Sequence, residues 1–239
     1  MNKITGLLGR TLWSSCKILM IAFPIFLVIG VATVTIPHGH KNFIYYSTAT
    51  KTLKAIQPGQ GSGSAFLLTT PTGKVVTITN YHVCKGLHVK GTVRFQESND
   101  EDSISIRRIL YANVYDDICI LNSQSGEKGL TLAAPAVEGD MVFVVGHPHG
   151  LPVQISQGYV VGFTIIHILQ DIGFFIPLPV MYNAQNLFIN SAPGSSGSPI
   201  LNWKGDVVGI LFAGSSTSNF ITFAIPSDRI LKHLIKLKL

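Results

Sequence analysis

Charged residues are scarce in this chain. They make up 13% of its 239 residues, and Lys and Arg form no compact cluster interleaved with aromatic side chains. Nucleic-acid binding needs such a basic surface, so it has little support, and we expect no nucleic-acid partner. The net charge of +6 arises largely near the two ends of the chain. Hydrophobic residues make up 46% of the sequence, which excludes a disordered composition.

Cysteine is also scarce, and metal-binding motifs are missing. The sequence contains neither a CxxC nor an HExxH pattern, so we expect no structural or catalytic zinc site. Its three cysteines cannot form a disulfide framework. Cys16 precedes the long apolar segment, so at most Cys84 and Cys119 could pair. Whether they do stays open, and free buried thiols are the default interpretation.

One long uncharged run occupies residues 18–36. As a helix it would span about 28 Å, close to the hydrocarbon thickness of a bilayer. Basic residues precede it, so the positive-inside rule predicts a cytoplasmic leader at 1–17, a transmembrane anchor at 18–36 and an extracytoplasmic remainder, periplasmic or extracellular. The alternative is a cleaved signal peptide, because the small residues at 30–32 offer a cleavage site.

After the anchor, residues 37–57 are interpreted as a linker, and from Gly59 the sequence becomes typical of β-structure. Short β-branched runs alternate with Gly, Pro, Asn and Asp, without helical periodicity until the C-terminus. This pattern predicts an all-β fold of barrels or sandwiches. Strands are predicted at 64–68, 75–79, 93–95, 104–110, 118–121, 141–145, 153–156, 159–168, 174–176, 187–189, 207–212 and 220–224.

The β-rich region has a natural seam at 137–140, which divides it into halves at 58–137 and 138–239. Its last segment, 227–237, is predicted to be a helix. Ser227 can cap this helix, and four apolar residues from Ile230 to Ile235 share one face at helical spacing.

The stretch 191–200, SAPGSSGSPI, predicts a tight loop that holds a hydroxyl group at its apex. Its glycines permit unusual backbone angles, and N–H groups around such a turn can converge on an oxygen that becomes negative during acyl transfer. A Gly- and Ser-rich segment is otherwise most often a solvent loop. A reactive serine also requires a histidine base and a carboxylate that orients the histidine.

Two other motifs supply those groups, in the order His, Asp, Ser. His82 follows a predicted strand within TITNYHVC, and Asp117 precedes another within YDDICIL. Each is unremarkable alone, because a histidine beside a strand is usually structural and Asp-Asp is common in turns. Together with the serine loop they form the set of groups that nucleophilic catalysis needs.

The motifs TITNYHVC, YDDICIL and PGSSGSPI together resemble those of trypsin/chymotrypsin-like serine proteases, and most closely the HtrA type. VGHPHGL with SQGYV, and ITFAIPS near the C-terminus, share the resemblance. It implies the trypsin-like fold: two six-stranded antiparallel β-barrels, with a C-terminal helix and an active site in the cleft between them. The chain ends shortly after its last predicted strand, so we expect no PDZ domain.

The resemblance also implies roles for individual residues. His82 would be the general base, Asp117 the group that orients it, and Ser196 the nucleophile. Ser196 is chosen over the neighbouring serines because the motif's nucleophile directly precedes its second glycine. The backbone N–H groups of Gly194 and Ser196 would form the oxyanion hole.

A substrate pocket follows from the same resemblance. Asn190 stands where a trypsin carries its aspartate, so cleavage after Arg or Lys is not expected. Phe212, Ala213 and Gly214 would line the pocket, which favours small or medium apolar side chains.

The sequence thus predicts a single-pass, membrane-anchored serine endopeptidase that acts on protein or peptide substrates, with its oligomeric state left open. Such an enzyme is expected to need no metal and no organic cofactor. One alternative is an inactive trypsin-like fold that serves as a protein-binding module. Another is a viral or phage processing protease of narrow specificity. His147 and His149 are interpreted as polar side chains on a turn rather than as ligands or pH sensors.

Overall fold

The computed structural model describes residues 38–56, 61–87, 90–98, 100–170, 178–214 and 220–239. The helices in these ranges are α1 (His38–Thr48), α2 (Tyr81–Leu87) and α3 (Ser227–Lys236). The strands are β1 (Thr52–Ile56), β2 (Ser62–Thr69), β3 (Val75–Thr79), β4 (Thr92–Glu97), β5 (Asp100–Asn113), β6 (Ile118–Asn122), β7 (Met141–Gly146), β8 (Gln154–Gln170), β9 (Leu178–Phe188), β10 (Pro199–Leu201), β11 (Val207–Gly214) and β12 (Ile221–Pro226). The predicted leader at 1–17 and anchor at 18–36 lie outside these ranges.

The strands close into two β-barrels. The first has the strand order β1-β2-β3-β6-β5-β4, and the second has the order β10-β11-β12-β9-β8-β7. Every pairing between neighbouring strands is antiparallel. The predicted fold of two six-stranded antiparallel barrels and a C-terminal helix is therefore confirmed. None of the helices in the described ranges has the length and apolar character needed to cross a membrane.

Residues 38–56 form α1 and β1 instead of the predicted linker. Ile44 of α1 is fully buried in the main hydrophobic core, and β1 pairs with both β2 and β4 to close the first barrel. Lys54 in the middle of β1 weakens the strand signal in the sequence. Its Nζ donates a hydrogen bond to the carbonyl oxygen of Gly150, at 3.1 Å. A long aliphatic stem lets a lysine occupy a strand while its charge reaches a polar partner.

The strands predicted at 153–156 and 159–168 form one continuous strand, β8. Gly158 separates them in the sequence, yet packing requires a glycine there, because a Cβ atom would collide with the carbonyl oxygen of Phe188 on β9. The glycine therefore marks a close approach of two strands rather than a turn. The strand predicted at 174–176 lies outside the described residues.

Cys84 and Cys119 form a disulfide bond, so the default expectation of free thiols is wrong. Thr79 at the end of β3 pairs with Cys119 on β6, and the chain then turns directly into α2, which carries Cys84. Both cysteines are buried in the core of the first barrel. The strand register and the turn bring the two thiols together, and sequence spacing alone cannot reveal either of them.

Candidate active site

His82 and Asp117 lie at the same end of two neighbouring strands. Because β3 and β6 are antiparallel, the residues that follow β3 meet those that precede β6 at one edge of the first barrel. His82 is the second residue of α2, and Asp117 directly precedes β6. Strand pairing thus brings together two side chains that are 35 positions apart in the sequence.

The His82 and Asp117 side chains are in direct contact. His82 Nδ1 lies 2.8 Å from Asp117 Oδ2, and the His82 backbone N–H donates to Asp117 Oδ1 at 2.9 Å. A carboxylate can only accept from the ring, so the contact favours the tautomer with the proton on Nδ1 and a lone pair on Nε2. The Asp117 side chain is 1% exposed and that of His82 is 41% exposed. A buried carboxylate therefore orients an accessible imidazole.

Asp117 is held in a strained backbone conformation. Its φ of 48° lies in the left-handed region, which aspartate tolerates better than most other non-glycine residues. Its carbonyl oxygen accepts hydrogen bonds from Asn80 Nδ2 and from the Tyr81 N–H, both at 3.1 Å. Together with the two carboxylate contacts to His82, these bonds fix Asp117 against residues 80–82. Such over-determined strain is common at functional sites.

Ser196 lies in the loop between β9 and β10, flanked by Gly194 and Gly197, whose φ angles are 93° and 89°. A Cβ atom on Gly197 would collide with Thr79 Oγ1, so this loop packs on the end of β3 that leads into His82. The Ser196 hydroxyl donates to the carbonyl oxygen of Phe212, at 3.4 Å. Within the described part of the chain, no hydrogen bond joins Ser196 Oγ to His82. Catalytic contacts of this kind are often long without substrate and tighten when it binds.

Two backbone N–H groups of this loop can bind an anion. Among the described residues, neither the Gly194 N–H nor the Ser196 N–H has an acceptor. The carbonyl oxygen of Pro193 accepts a hydrogen bond from the His149 N–H, at 2.6 Å. Because N–H and C=O point in opposite directions across a trans peptide, this contact turns the Gly194 N–H away from His149. The Gly194 donor is therefore unpaired and fixed in direction, as electrostatic stabilisation of an oxyanion requires.

The predicted substrate-pocket residues lie on two neighbouring segments. Phe212, Ala213 and Gly214 end β11, and a Cβ atom on Gly214 would lie 3.6 Å from Ser191 Oγ. Asn190 is exposed and lines a cavity of about 280 Å³. The other residues around this cavity are Val144, Gly146, Pro148, His149, Leu151, Gln154, Ser156, Ser191, Ala192, Pro193 and Ser195. The cavity thus brings Asn190 together with the loop of Ser196, and the β11 residues lie outside its lining.

Two hydroxyl groups that the sequence analysis missed lie beside this pocket. Ser191 Oγ and Thr222 Oγ1 are 2.6 Å apart, and Thr222 Oγ1 donates to the carbonyl oxygen of Ile189 at 3.2 Å. Thr222 pairs with Gly214 across β11 and β12. Both hydroxyl groups are uncharged, and Thr222 is fully buried.

The adjacent carboxylate, Asp116, contacts the C-terminal helix rather than His82. Arg229 Nη1 donates to Asp116 Oδ1 at 2.5 Å, and His233 Nε2 lies 2.8 Å from Asp116 Oδ2. Burial raises the pKa of Asp116, but the hydrogen bonds from His233 and Arg229 outweigh it, so the pKa is lowered from 3.8. The ionised carboxylate therefore ties α3 to the loop that carries Asp117.

His147, interpreted from the sequence as a polar side chain on a turn, is buried, with 2% of it exposed. Its Nδ1 lies 3.0 Å from the carbonyl oxygen of Leu151, and its Nε2 lies 2.9 Å from Ser98 Oγ. Burial lowers the pKa of His147 to about 4, with a contribution from the charge of Lys54 and against the hydrogen bond to Leu151. The neutral ring thus connects the second barrel to the turn between β4 and β5 of the first.

This arrangement suits nucleophilic attack on a carbonyl carbon. It combines a serine hydroxyl, a histidine with an available Nε2 and an unpaired backbone N–H that can bind a developing oxyanion. The described residues include no group of three or more His, Cys, Asp or Glu side chains that could hold a metal ion.

Comparison with known proteins places the chain among the peptidases. The profile of the trypsin-like peptidase domain matches residues 61–210. Protease Do-like 1, chloroplastic, from Arabidopsis thaliana is 28% identical over 188 residues, which cover 75% of this chain and 40% of that relative. The match with this curated relative thus extends over less than half of the relative's length.

Solved structures share the same fold. The active form of the Rv3671c protease from M. tuberculosis has a TM-score of 0.69 and 21% identity, and the match covers 84% of this chain and 86% of that one. The HtrA-type protease AlgW with tripeptide has a TM-score of 0.64 and 18% identity, with 83% and 64% covered. With more than half of its length matched by the family profile, the chain belongs to the family of trypsin-like peptidase domains.

Proposed function

We propose that this protein is a membrane-anchored serine endopeptidase that hydrolyses peptide bonds through Ser196, His82 and Asp117. The observation that carries the proposal is the 2.8 Å contact between His82 Nδ1 and the buried carboxylate of Asp117. That contact leaves Nε2 as the basic nitrogen of an accessible ring, which is what a general base needs.

The proposed reaction proceeds through an acyl-enzyme. Ser196 Oγ rotates away from Phe212 and transfers its proton to His82 Nε2 as it attacks the peptide carbonyl. The negative oxygen of the tetrahedral intermediate binds to the N–H groups of Gly194 and Ser196. Asp117 stabilises the imidazolium, which then protonates the departing amine. Water, activated by the same histidine, hydrolyses the acyl-enzyme.

The substrate proposal is a protein or peptide with an uncharged side chain before the scissile bond. It is supported by Asn190, which is uncharged and exposed, and by Ser191, whose neutral side chain lines the same cavity. The hydrolysis of casein and of a peptide library by the full chain in detergent micelles tests it. We expect cleavage after small or medium apolar residues. Cleavage mainly after Arg or Lys would contradict this specificity, and intact substrates would contradict the function itself.

The anchoring proposal rests on the uncharged run at 18–36. An extracytoplasmic peptidase domain is supported by the Cys84–Cys119 disulfide, because such bonds persist in oxidising compartments. Extraction of membranes with alkaline carbonate tests the anchor. We expect the full chain to stay in the membrane and a variant without residues 18–36 to be released. A mature protein that begins after residue 32 would instead identify a cleaved signal peptide.

A protein-binding module without activity is the second candidate. It is favoured by one observation, the hydrogen bond from Ser196 Oγ to Phe212 rather than to His82. Binding of a peptide without its cleavage, by a protein that also fails to react with an electrophilic probe of serine nucleophiles, would support this candidate.

A further inference from the structure

Ser64 belongs to the first barrel, yet its polar groups bond to the nucleophile loop of the second. This residue of β2 is fully buried. Its N–H donates to the carbonyl oxygen of Ser196 at 2.7 Å, and its Oγ donates to the carbonyl oxygen of Gly194 at 2.9 Å. Ser64 thus holds both Gly194 and Ser196, the two residues whose N–H groups would bind the oxyanion.

The same hydroxyl also accepts a hydrogen bond. The His147 N–H donates to Ser64 Oγ at 2.9 Å. A serine hydroxyl can donate one hydrogen bond and accept others. Ser64 Oγ does both, and it thereby links the loop of His147 to the loop of Gly194. Its carbonyl oxygen accepts from Thr79 Oγ1 at 2.6 Å, which holds Ser64 itself in place.

Gly194 is consequently held on both sides. The peptide before it is fixed by the bond from the His149 N–H to the carbonyl oxygen of Pro193, and the peptide after it by Ser64 Oγ. Packing allows no alternative residue here, since a Cβ atom on Gly194 would lie 2.6 Å from the carbonyl oxygen of His147. The direction of the Gly194 N–H therefore depends on contacts from His149 and Ser64.

We propose that Ser64 is the positioning residue that orders the oxyanion hole, acting from the first barrel on Gly194 and Ser196 of the second. The inference rests on the proposed peptidase function. Oxyanion donors stabilise a transition state only if they are aimed before the reaction begins. Loss of the Ser64 hydroxyl leaves the carbonyl of Gly194 without its donor, so the peptide plane after Gly194 can rotate. The bond from the His149 N–H then holds Gly194 from one side only, and the Gly194 N–H is aimed less precisely.

The test compares two single-hydroxyl deletions in the full chain, Ser64→Ala and Ser198→Ala. Ser198 is a matched control, because it is also buried and close to the nucleophile, but its Oγ has no hydrogen-bond partner among the described residues. Kinetics are measured on a cleaved peptide, together with inhibition by a peptidyl aldehyde of the same sequence. The tetrahedral adduct of the aldehyde needs the oxyanion hole, whereas ground-state binding of the peptide does not.

We expect Ser64→Ala to lower kcat by about 10- to 100-fold with little change in KM, somewhat less than the loss of an oxyanion donor itself. The inhibition constant of the aldehyde should rise by a similar factor. Ser198→Ala should keep wild-type values. A Ser64→Ala enzyme with wild-type kcat, or equal losses in both variants, would overturn the proposal.

Hydrogen exchange provides a readout that does not require turnover. The Ser195 N–H donates to the carbonyl oxygen of Ala192 in the nucleophile loop, and the Gly197 N–H donates to the carbonyl oxygen of Leu211 on β11, so both report on the order of the loop. We expect faster exchange of the 192–198 segment in Ser64→Ala and unchanged exchange in Ser198→Ala. Equal exchange in Ser64→Ala and wild type overturns the role of Ser64. An inactive wild type with this exchange pattern would refute the peptidase function while leaving the positioning role intact.

Discussion

At the scale of single residues, the surroundings of two histidines in or near the site set their orientation or their protonation. Asp117 uses both carboxylate oxygens on His82, one for the ring and one for the backbone N–H. His147 is kept neutral by burial. These two residues lead to predictions that separate catalysis from folding.

Asp117→Asn should lower kcat by about 10⁴-fold, because an amide that donates to Nδ1 favours the tautomer with a proton on Nε2. The backbone contacts of residue 117 do not depend on the carboxylate, so the melting temperature should change little by comparison. Steady-state kinetics and thermal melts of both proteins check this. A kcat within 10-fold of wild type would show that Asp117 does not orient the base.

The low pKa of His147 makes the free energy of unfolding depend on pH. Between pH 6.5 and about 4, the unfolded chain binds a proton on this histidine and the folded chain does not. The free energy of unfolding should therefore fall as the pH drops through this window, by about 3 kcal/mol in total. Denaturant unfolding at a series of pH values measures it. His147→Asn should lose most of this dependence, whereas His149→Asn should keep it; equal slopes in all three proteins would contradict the assignment.

At the scale of elements, His82 and Asp117 lie where β3 ends and β6 begins, and a disulfide bond joins the same two segments. Cys84 lies two residues after His82, and Cys119 lies two residues after Asp117. The disulfide therefore connects the two segments that carry His82 and Asp117, within the core of the first barrel. On the other side, Asp116 holds α3 through Arg229 and His233.

Replacement of both cysteines by alanine should lower the free energy of unfolding by about 3–4 kcal/mol, from the entropy that a 35-residue loop regains in the unfolded chain. Urea unfolding of the oxidised wild type and of the double variant measures this difference. Reduced wild type should match the variant. If the three proteins unfold at the same urea concentration, the disulfide does not contribute to the free energy of unfolding.

Asp116→Ala should destabilise the protein by about 1–3 kcal/mol, because it leaves His233 buried without its acceptor. Arg229→Ala should cost less, since the arginine side chain is partly exposed and His233 stays paired. Chemical denaturation measures the free energy of unfolding of the two variants. A larger loss in Arg229→Ala than in Asp116→Ala would contradict the role of Asp116 in holding α3.

At the scale of the whole molecule, the motifs predicted the two barrels better than they predicted the contacts between elements. Short β-branched runs predicted most strands, and the resemblance carried by the motifs around His82, Asp117 and Ser196 implied the two barrels that the structure shows. The structure also brings His82 and Asp117 into contact, whereas the role of Ser196 as the nucleophile stays a prediction. The contacts of Ser64 and His147 escaped prediction because they join barrels whose relative packing no local pattern encodes. Ser64 stands in a Gly-Ser-Gly-Ser segment, which is the one local signal that could have singled it out.

The pairing of Cys84 with Cys119 and the strand β1 escaped prediction for a related reason. The disulfide depends on the register of β3 and β6, and β1 contains a lysine whose side chain reaches the second barrel. Strand register and contacts between barrels are properties of the folded chain. The division of two adjacent aspartates between His82 and α3 is likewise visible only in the structure.

The central claim is that Ser196 is a nucleophile activated by His82. Reaction of the full chain with a fluorophosphonate probe, followed by intact-mass and peptide mapping, tests it most directly. We predict a single label on Ser196, lost in Ser196→Ala and strongly slowed in His82→Ala. A folded protein that stays unlabelled, or that is labelled equally fast without His82, would contradict the claim.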